Sequence, residues 1–242
     1  MTPFFHSHVP KAAGWGFSSI LEKLCHKVYL DNQYQDPEAV LTPNATVIEG
    51  IKGLVSNGFL VGVRGHVPVS VYADVFDEVN ICLWVREQGQ RLASQYAYDE
   101  RTTSGGSLGA KVRCGELSRL EYFQHPFLVN LQSRYADIPL ERIKFLGVVE
   151  RFDASIELFR RMFELEFEHP GRWNFNERLL ESPVSPEPLS HQDSLKGIGS
   201  SAYELTGEEQ GCVRQVHKDD CALYSEVMGR HLVQCRKYGV ST

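Results

Sequence analysis

Four short runs of apolar residues along the chain predict strands. They cover residues 3–9, 59–65, 79–85 and 144–149, and each is followed by residues with the apolar spacing of a helix. Nearly continuous apolar runs are typical of strands that are buried on both faces of a parallel sheet. The pattern therefore predicts an α/β fold in which a mainly parallel central sheet is flanked by helices.

The segment 168–201 breaks this alternation. It is rich in proline and has weak apolar periodicity, so we predict a long loop that either covers a site or decorates the surface. A chain of 242 residues with 42% hydrophobic content is long enough to bury one sizeable core. We therefore expect one domain over residues 1–242, with 168–201 as its loop-rich part.

Composition and charge narrow the possible partners. The net charge of −6 and the absence of a basic run argue against nucleic acid as a partner. No apolar run approaches the ~20 residues that span a bilayer, and no signal-peptide pattern opens the sequence, so we expect a cytoplasmic protein. The six cysteines include no C-x-x-C pair, which argues against a zinc site, and we expect no metal.

The most informative chemistry lies in residues 6–17, which read HSHVPKAAGWGF. The segment predicts the end of a strand, a tight turn that carries Lys11, and the start of a helix. Gly14 and Gly16 allow a ligand to approach the backbone, and the first N–H groups of a helix attract anions. A phosphate or sulfate is the expected ligand. The segment is not a Walker A motif, because Lys11 precedes both glycines.

The order Pro-Lys-x-x-Gly at residues 10–14 resembles the loop of sulfotransferases that binds the 5′-phosphosulfate of 3′-phosphoadenosine 5′-phosphosulfate (PAPS). The likeness is greatest to the carbohydrate-type branch. The chain departs from that loop at four positions, so the backbone and Lys11 must supply more of the contact; these are Ala12, Ala13, Trp15 and Gly16. The cofactor-binding residues that the resemblance implies here are Lys11, Ala12, Ala13, Gly14, Trp15, Gly16 and Phe17.

A second segment joins the predicted strand 79–85 to a helix over residues 87–96. Sulfotransferases carry Arg-Asp-Pro-x-x-Arg-x-x-Ser there, and the resemblance implies that Arg86 and Ser94 hold the 3′-phosphate. An arginine at a strand end can grip a phosphate with two hydrogen bonds. Glu87 and Gln88 stand where the family has Asp-Pro. In relatives a C-terminal loop closes over the same phosphate, which suggests Lys196 or Ser200 for that role.

Further segments extend the resemblance over roughly residues 4 to 230. They are NLQSRY at 130–135, FLGVVERFDASIEL at 145–158 and LTGEE at 205–209 followed by Asp220-x-x-Leu223-Tyr224. We expect Gln132 and Arg134, and with them Asn130, to orient the acceptor substrate or the loop, although a place on a helix surface is equally compatible with the sequence. Glu150 and Arg151 are expected to form an ion pair or to contact the acceptor.

The predicted general base is His66. It ends the strand predicted at 59–65, at the edge of the sheet where the Lys11 turn is expected, and an ordinary histidine pKa of about 6.5 suits proton abstraction. Its Gly-His-x-Pro context also resembles a Gly-His segment of carbohydrate sulfotransferases. Lys11 is expected to stabilise charge in the transfer step. His66 is thus both a catalytic and an acceptor-contacting residue, and His8 is a neighbour of the turn.

The resemblance implies a PAPS-dependent sulfotransferase that acts on a hydroxyl of a glycan or a small hydroxylated metabolite. Few clustered basic residues favour a neutral or weakly charged acceptor. One alternative is a nucleotide-dependent phosphotransferase, although no hydroxyl follows Lys11 and no aspartate ends the strand at 79–85 to hold Mg²⁺. Another is a non-catalytic binding protein on the same scaffold, which the altered positions of the turn leave open.

Overall fold

The computed structural model describes residues 2–31, 42–76, 78–102, 106–167 and 204–241. One sheet of five strands lies within them: β1 (Phe4–Ser7), β2 (Lys27–Asp31), β3 (Val61–Gly65), β4 (Asn80–Val85) and β5 (Phe145–Val148). All neighbouring strands are parallel, in the order β2-β3-β1-β4-β5. The predicted α/β class with a parallel sheet flanked by helices is therefore confirmed.

Helices connect the strands. In the described residues they are α1 (Gly14–Leu24), α2 (Ala45–Ser56), α3 (Ser70–Ala73), α4 (Gln88–Arg101), α5 (Gly106–Arg113), α6 (Arg119–Phe123), α7 (Leu131–Tyr135), α8 (Phe152–Met162), α9 (Gly207–Val216) and α10 (Lys218–Lys237). None of these helices combines the length and the hydrophobicity that crossing a membrane requires.

The chain packs into two compact units. The first takes in the described residues of 1–86, 130–171 and 219–242, and it contains the whole sheet. The second takes in the described residues of 87–129 and 172–218 and contains α4, α5, α6 and α9. The expected single domain over 1–242 stays a prediction. The predicted loop-rich segment 168–201 lies outside the described residues.

Aromatic rings fill both faces of the sheet in the first unit. The rings of Phe4 in β1 and Phe159 in α8 are 5.5 Å apart, and Phe159 lies 4.9 Å from Phe17 in α1. The next residue of β1, Phe5, packs instead on Tyr72 of α3 at 4.9 Å. Because successive side chains of a strand point to opposite faces, α1 and α8 cover one face and α3 covers the other.

The central position of β1 marks the point of the sheet where a ligand is expected to bind. After β1 the chain turns through α1 toward β2 on one side, whereas after β4 it continues toward β5 on the other side. Adjacent parallel strands whose connections diverge in this way leave a crevice at their carboxyl ends, where α/β proteins bind ligands. Here that edge carries the residues that follow Ser7 and Val85.

Candidate functional site

The turn between β1 and α1 is held in an unusual backbone conformation. Lys11 and Ala13 have φ angles of 65° and 55°, in the left-handed region that favours glycine. Each such residue costs roughly 1–2 kcal/mol when it is not glycine. The N–H of Ala12 donates to the carbonyl of Val9 at 3.2 Å, and both of these residues are buried. Packing beneath the turn therefore keeps it in a shape that its residues do not favour by themselves.

The helix that follows this turn begins without a side-chain cap. Ala13 occupies the capping position and offers no hydrogen-bonding side chain, and the first turn of α1 contains no acidic residue. The partial positive charge at this helix end is therefore not neutralised by a carboxylate of its first turn. Such an end, with Lys11 just before it, can accept an anion.

Arg86 follows β4 directly and reaches the same turn. Its Nη1 donates to the carbonyl oxygen of Lys11 at 3.4 Å, at the long end of hydrogen-bond distances. The side chain of Gln132 holds the backbone of Arg86: Oε1 accepts from the Arg86 N–H at 2.8 Å, and Nε2 donates to the Arg86 carbonyl at 2.9 Å. Two basic residues that the sequence separates widely thus meet beside β1 and β4.

The segment that carries Gln132 is docked on the start of α10. One carboxylate oxygen of Asp220 accepts from the N–H of Gln132 at 3.2 Å, and the other accepts from the N–H and Oγ of Ser133 at 2.7 and 2.9 Å. In return, Oδ1 of Asn130 accepts from the backbone N–H groups of Asp219 and Asp220 at 3.2 and 3.3 Å. Asp220, in the first turn of α10, thus caps the start of α7, and Asn130, which precedes α7, caps the start of α10.

His66 follows β3 and has a defined tautomer. Its Nδ1 lies 2.8 Å from the carbonyl oxygen of His8. A carbonyl only accepts, so Nδ1 carries the proton and Nε2 keeps its lone pair. Burial lowers the pKa of His66, as does the charge of Arg64, while the hydrogen bond to His8 partly offsets them. His66 is therefore neutral at neutral pH, with Nε2 able to take up a proton.

Two further imidazoles stack behind His66. The ring centroids of His66 and His8 are 4.3 Å apart, and those of His8 and His6 are 5.5 Å apart. His6 is fully buried, and neither of its ring nitrogens has a hydrogen-bond partner among the described residues. Burial, with the positive charge of Arg64 and the nearby His66, lowers the pKa of His6 to about 3. Burial also lowers the pKa of His8, and these rings are uncharged at neutral pH.

A glycine explains how His66 reaches this position. Gly65 ends β3 beside Asp31 of the edge strand β2. A Cβ at Gly65 would lie 1.8 Å from the carbonyl oxygen of Asp31, so no other residue fits without separating the two strands. The glycine of the Gly-His pair is therefore required by the close approach of β2 and β3.

Two further predicted site residues, Arg134 and Ser94, lie on helices. Arg134 lies half-buried on the short helix α7. Ser94 is 6% exposed in α4 of the second unit, and its role at a 3′-phosphate stays a prediction. Glu87 accepts from the N–H groups of Gly89 and Gln90 at 3.0 and 2.8 Å, so it caps α4.

Some of the predicted residues lie outside the part of the chain that the structure describes. Lys196 and Ser200 lie outside the described residues, and the side chain of Trp15 is not described. Their roles stay predictions.

Glu150, expected to pair with Arg151 or contact the acceptor, accepts a hydrogen bond from the hydroxyl of Tyr224 at 3.1 Å.

No family model and no curated protein matches this chain. The resemblance to sulfotransferases therefore rests on the motifs of the chain itself. Within the described ranges, no group of three or more His, Cys, Asp or Glu side chains is arranged to hold a metal ion.

Proposed function

We propose that this protein is a PAPS-dependent sulfotransferase that modifies a hydroxyl of a glycan or a small hydroxylated metabolite. One observation carries the proposal: the Nη1 of Arg86 contacts the carbonyl of Lys11, at the carboxyl ends of β1 and β4. The resemblance assigns these residues to opposite phosphate ends of one nucleotide. Their meeting at the point where strand connections diverge is the arrangement that such a nucleotide needs.

The residues present suit a ligand with two anionic ends. PAPS supplies the sulfuryl group and leaves as adenosine 3′,5′-bisphosphate. Lys11 and the N–H groups that open α1 bind the 5′-phosphosulfate, and the helix end has no acidic residue in its first turn to compete for this place. Arg86 binds the 3′-phosphate. As negative charge grows on the leaving 5′-phosphate oxygen, the ammonium of Lys11 stabilises it.

His66 acts as the general base in this proposal. Its Nδ1 proton is engaged by the His8 carbonyl, so Nε2 accepts the proton of the acceptor hydroxyl as the hydroxyl oxygen attacks sulfur. The lowered pKa of His66 keeps the imidazole unprotonated before the reaction. A net charge of −6 favours an acceptor that is neutral or weakly charged.

A nucleotide kinase would use the same edge of the sheet differently. It needs Mg²⁺, held by a hydroxyl after the loop lysine and by a strand-end carboxylate. This chain has Ala12 after Lys11, and Val85 and Arg86 at the end of β4. A positive residue therefore stands where the metal would need a negative one.

The test is a thermal-shift measurement with adenosine 3′,5′-bisphosphate, with ATP-Mg²⁺ and with buffer alone. A ligand at about 100 times its Kd adds roughly 2.7 kcal/mol of stability, which raises Tm by ~5–10 °C for a chain of this size. We expect this shift with the bisphosphate and its loss in Arg86→Ala. The matched control is Arg142→Ala, which removes an exposed arginine paired with Asp74.

The other outcomes contradict the proposal in different ways. A shift with ATP-Mg²⁺ alone would favour the kinase, and a shift with neither nucleotide would favour a binding protein of another kind. A bisphosphate shift that Arg86→Ala leaves intact would remove Arg86 from the site. Sulfate transfer from PAPS to a panel of sugars and phenols then separates an enzyme from a protein that only binds the nucleotide.

A further inference from the structure

The backbone of Arg86 is held by a side chain in place of a neighbouring strand. β4 pairs with β5 up to Val85 and Val148, so Arg86 is the first residue beyond the paired strand. There Gln132 accepts from the N–H and donates to the carbonyl of Arg86, at 2.8 and 2.9 Å. This pair of bonds extends the ordered backbone by one residue.

Gln132 is suited to holding and not to contacting a substrate. Its side chain is fully buried, and both ends of its amide are engaged by the backbone of Arg86. The helix that carries it, α7, has five residues, which is too short to be stable by its own hydrogen bonds.

Asp220 supplies the missing support. Its fully buried carboxylate accepts from the N–H groups of Gln132 and Ser133, which are the second and third residues of α7. Two acceptor oxygens thus hold the first turn of α7 in place. A continuous set of hydrogen bonds runs from Asp220 through Gln132 to the backbone of Arg86, and on to Lys11.

The last contact in this set is the weakest. The guanidinium of Arg86 meets the carbonyl of Lys11 at 3.4 Å, whereas the bonds that hold its backbone are 2.8 and 2.9 Å long. Charge-assisted bonds from arginine to phosphate are shorter and stronger than a contact of 3.4 Å. The backbone of Arg86 is therefore held by shorter hydrogen bonds than the one that joins its guanidinium to Lys11.

We propose that Gln132 and Asp220 are positioning residues that aim Arg86 at the 3′-phosphate, and that Gln132 does not contact the acceptor. This inference rests on the proposed function, and it departs from the acceptor-binding role that the sequence suggests for Gln132. The selectivity for a 3′-phosphorylated nucleotide would then depend on a residue that never touches it.

The test compares two nucleotides on the full chain by calorimetry: adenosine 3′,5′-bisphosphate and AMP, which lacks the 3′-phosphate. Gln132→Met keeps the length of the side chain and removes its two hydrogen bonds to the backbone of Arg86 without adding charge. We expect the affinity for the bisphosphate to fall about 10–100-fold, and that for AMP to change less than about twofold. Asp220→Asn, which keeps one carboxamide oxygen as acceptor, should give a smaller loss of the same kind.

Two further variants control for charge. Gln132→Glu keeps the shape but places a carboxylate oxygen against the carbonyl of Arg86, so it should lose at least as much affinity as Gln132→Met. Gln210→Glu adds the same charge at an exposed glutamine that donates to the carbonyl of Leu205 at 3.2 Å, and both affinities should stay unchanged. A loss seen with Gln132→Glu alone would mean that charge, not position, is responsible, and it would overturn the inference.

Equal losses of affinity for both nucleotides in Gln132→Met would also overturn the inference, because they would indicate a general structural role. So would unchanged binding. Hydrogen exchange gives a readout that needs no ligand: Gln132→Met and Asp220→Asn should speed exchange at Arg86 and leave β3 protected. If the wild-type protein binds no bisphosphate, the proposed function fails, while unchanged protection at Arg86 would separately refute its positioning by Gln132.

Discussion

Two helices follow strands of the same sheet and begin in opposite ways. α4, after β4, is capped by Glu87, whose carboxylate accepts two backbone N–H groups at 3.0 and 2.8 Å. α1, after β1, begins at Ala13, which has no capping side chain and a φ of 55°. The first helix end is satisfied by its own chain. The start of α1 has no side-chain cap, which makes it suited to binding an anion.

Side-chain caps are present on some of the other helices and absent from others; α8 also lacks one but, unlike α1, has an acidic residue, Asp153, in its first turn. Asn44 caps α2 through its Oδ1, and α6 and α9 each begin with a reciprocal capping box, formed by Ser118 and Thr206 with the glutamates three residues later. A side-chain cap contributes ~0.5–2 kcal/mol. α1 lacks that contribution, and its turn carries two residues of unfavourable φ as well.

The largest expected effect concerns the histidines beside the start of α1. His66→Ala should lower sulfate transfer by roughly 10²–10⁴-fold while leaving affinity for adenosine 3′,5′-bisphosphate nearly unchanged, because in the proposed mechanism the imidazole moves a proton and does not bind the nucleotide. Since burial lowers the pKa of His66, the acid limb of the wild-type rate should have its midpoint below pH 6.5.

The control for this prediction is His26→Ala, which removes an exposed histidine stacked on Phe59. It should leave the rate and its pH dependence unchanged. A His66→Ala variant with the wild-type rate would show that another group is the base.

A single carboxylate should make the start of α1 resemble that of α4. Ala13→Asp adds a negative charge at the anion-binding end, so affinity for the bisphosphate should fall about 5–30-fold by calorimetry, as expected for 1–2 kcal/mol of helix-end electrostatics. Ala13→Asn has the same shape without the charge and tolerates positive φ, so it should keep the affinity and the stability. Equal affinities for the two variants would mean that no anion binds there.

Acid should destabilise the first unit, which contains the uncapped helix α1. The pKa of His6 is about 3 in the folded protein against an ordinary 6.5, so between these values the unfolded chain binds the extra proton. Stability should therefore be fully present above pH 6.5 and fall as the pH decreases, by at most ~1.4 kcal/mol per pH unit for one histidine. Denaturant unfolding of wild type and His6→Leu measures it, and parallel pH profiles would contradict the assignment.

The smallest effect should be at α4. Glu87→Ala removes a cap, so the free energy of unfolding should decrease by about 1 kcal/mol, while affinity for the bisphosphate should change less than about twofold. Glu87→Asp should preserve most of the stability. If Glu87→Ala altered affinity as much as Ala13→Asp, the contrast between the two helix starts would be lost.

The sequence predicts the buried strands well and the partly exposed strand β2 poorly. The runs at 3–9, 59–65, 79–85 and 144–149 correspond to β1, β3, β4 and β5. β2 went unpredicted because Lys27 and Leu30 are exposed in it, so no continuous apolar run marks it. β5 also lies at an edge of the sheet, but all four of its residues are buried and its apolar run predicts it. Burial of the strand, and not its place in the sheet, produces the signal.

For the candidate site, sequence motifs predicted individual residues but not the residues from distant parts of the chain that hold them. The position of Arg86 after a strand and of Lys11 in a turn followed from short patterns. That Gln132 would hold Arg86, and that Asp220 would hold Gln132, depends on contacts between segments far apart in sequence, which no local pattern encodes. The tautomer of His66 likewise depends on a carbonyl of another strand's extension.

The central place of β1 also sets an order in which the protein can be made. Its hydrogen-bonding neighbours begin at residues 61 and 80, so β1 has no strand partner until the chain has been synthesised as far as β3. The chain around the Lys11 turn is held from the ends of β3 and β4, since the N–H of His8 donates to the carbonyl of Gly65 and Arg86 donates to the carbonyl of Lys11. A nascent chain that lacks these strands therefore lacks the proposed nucleotide site, and nucleotide binding would report on completed assembly of the sheet.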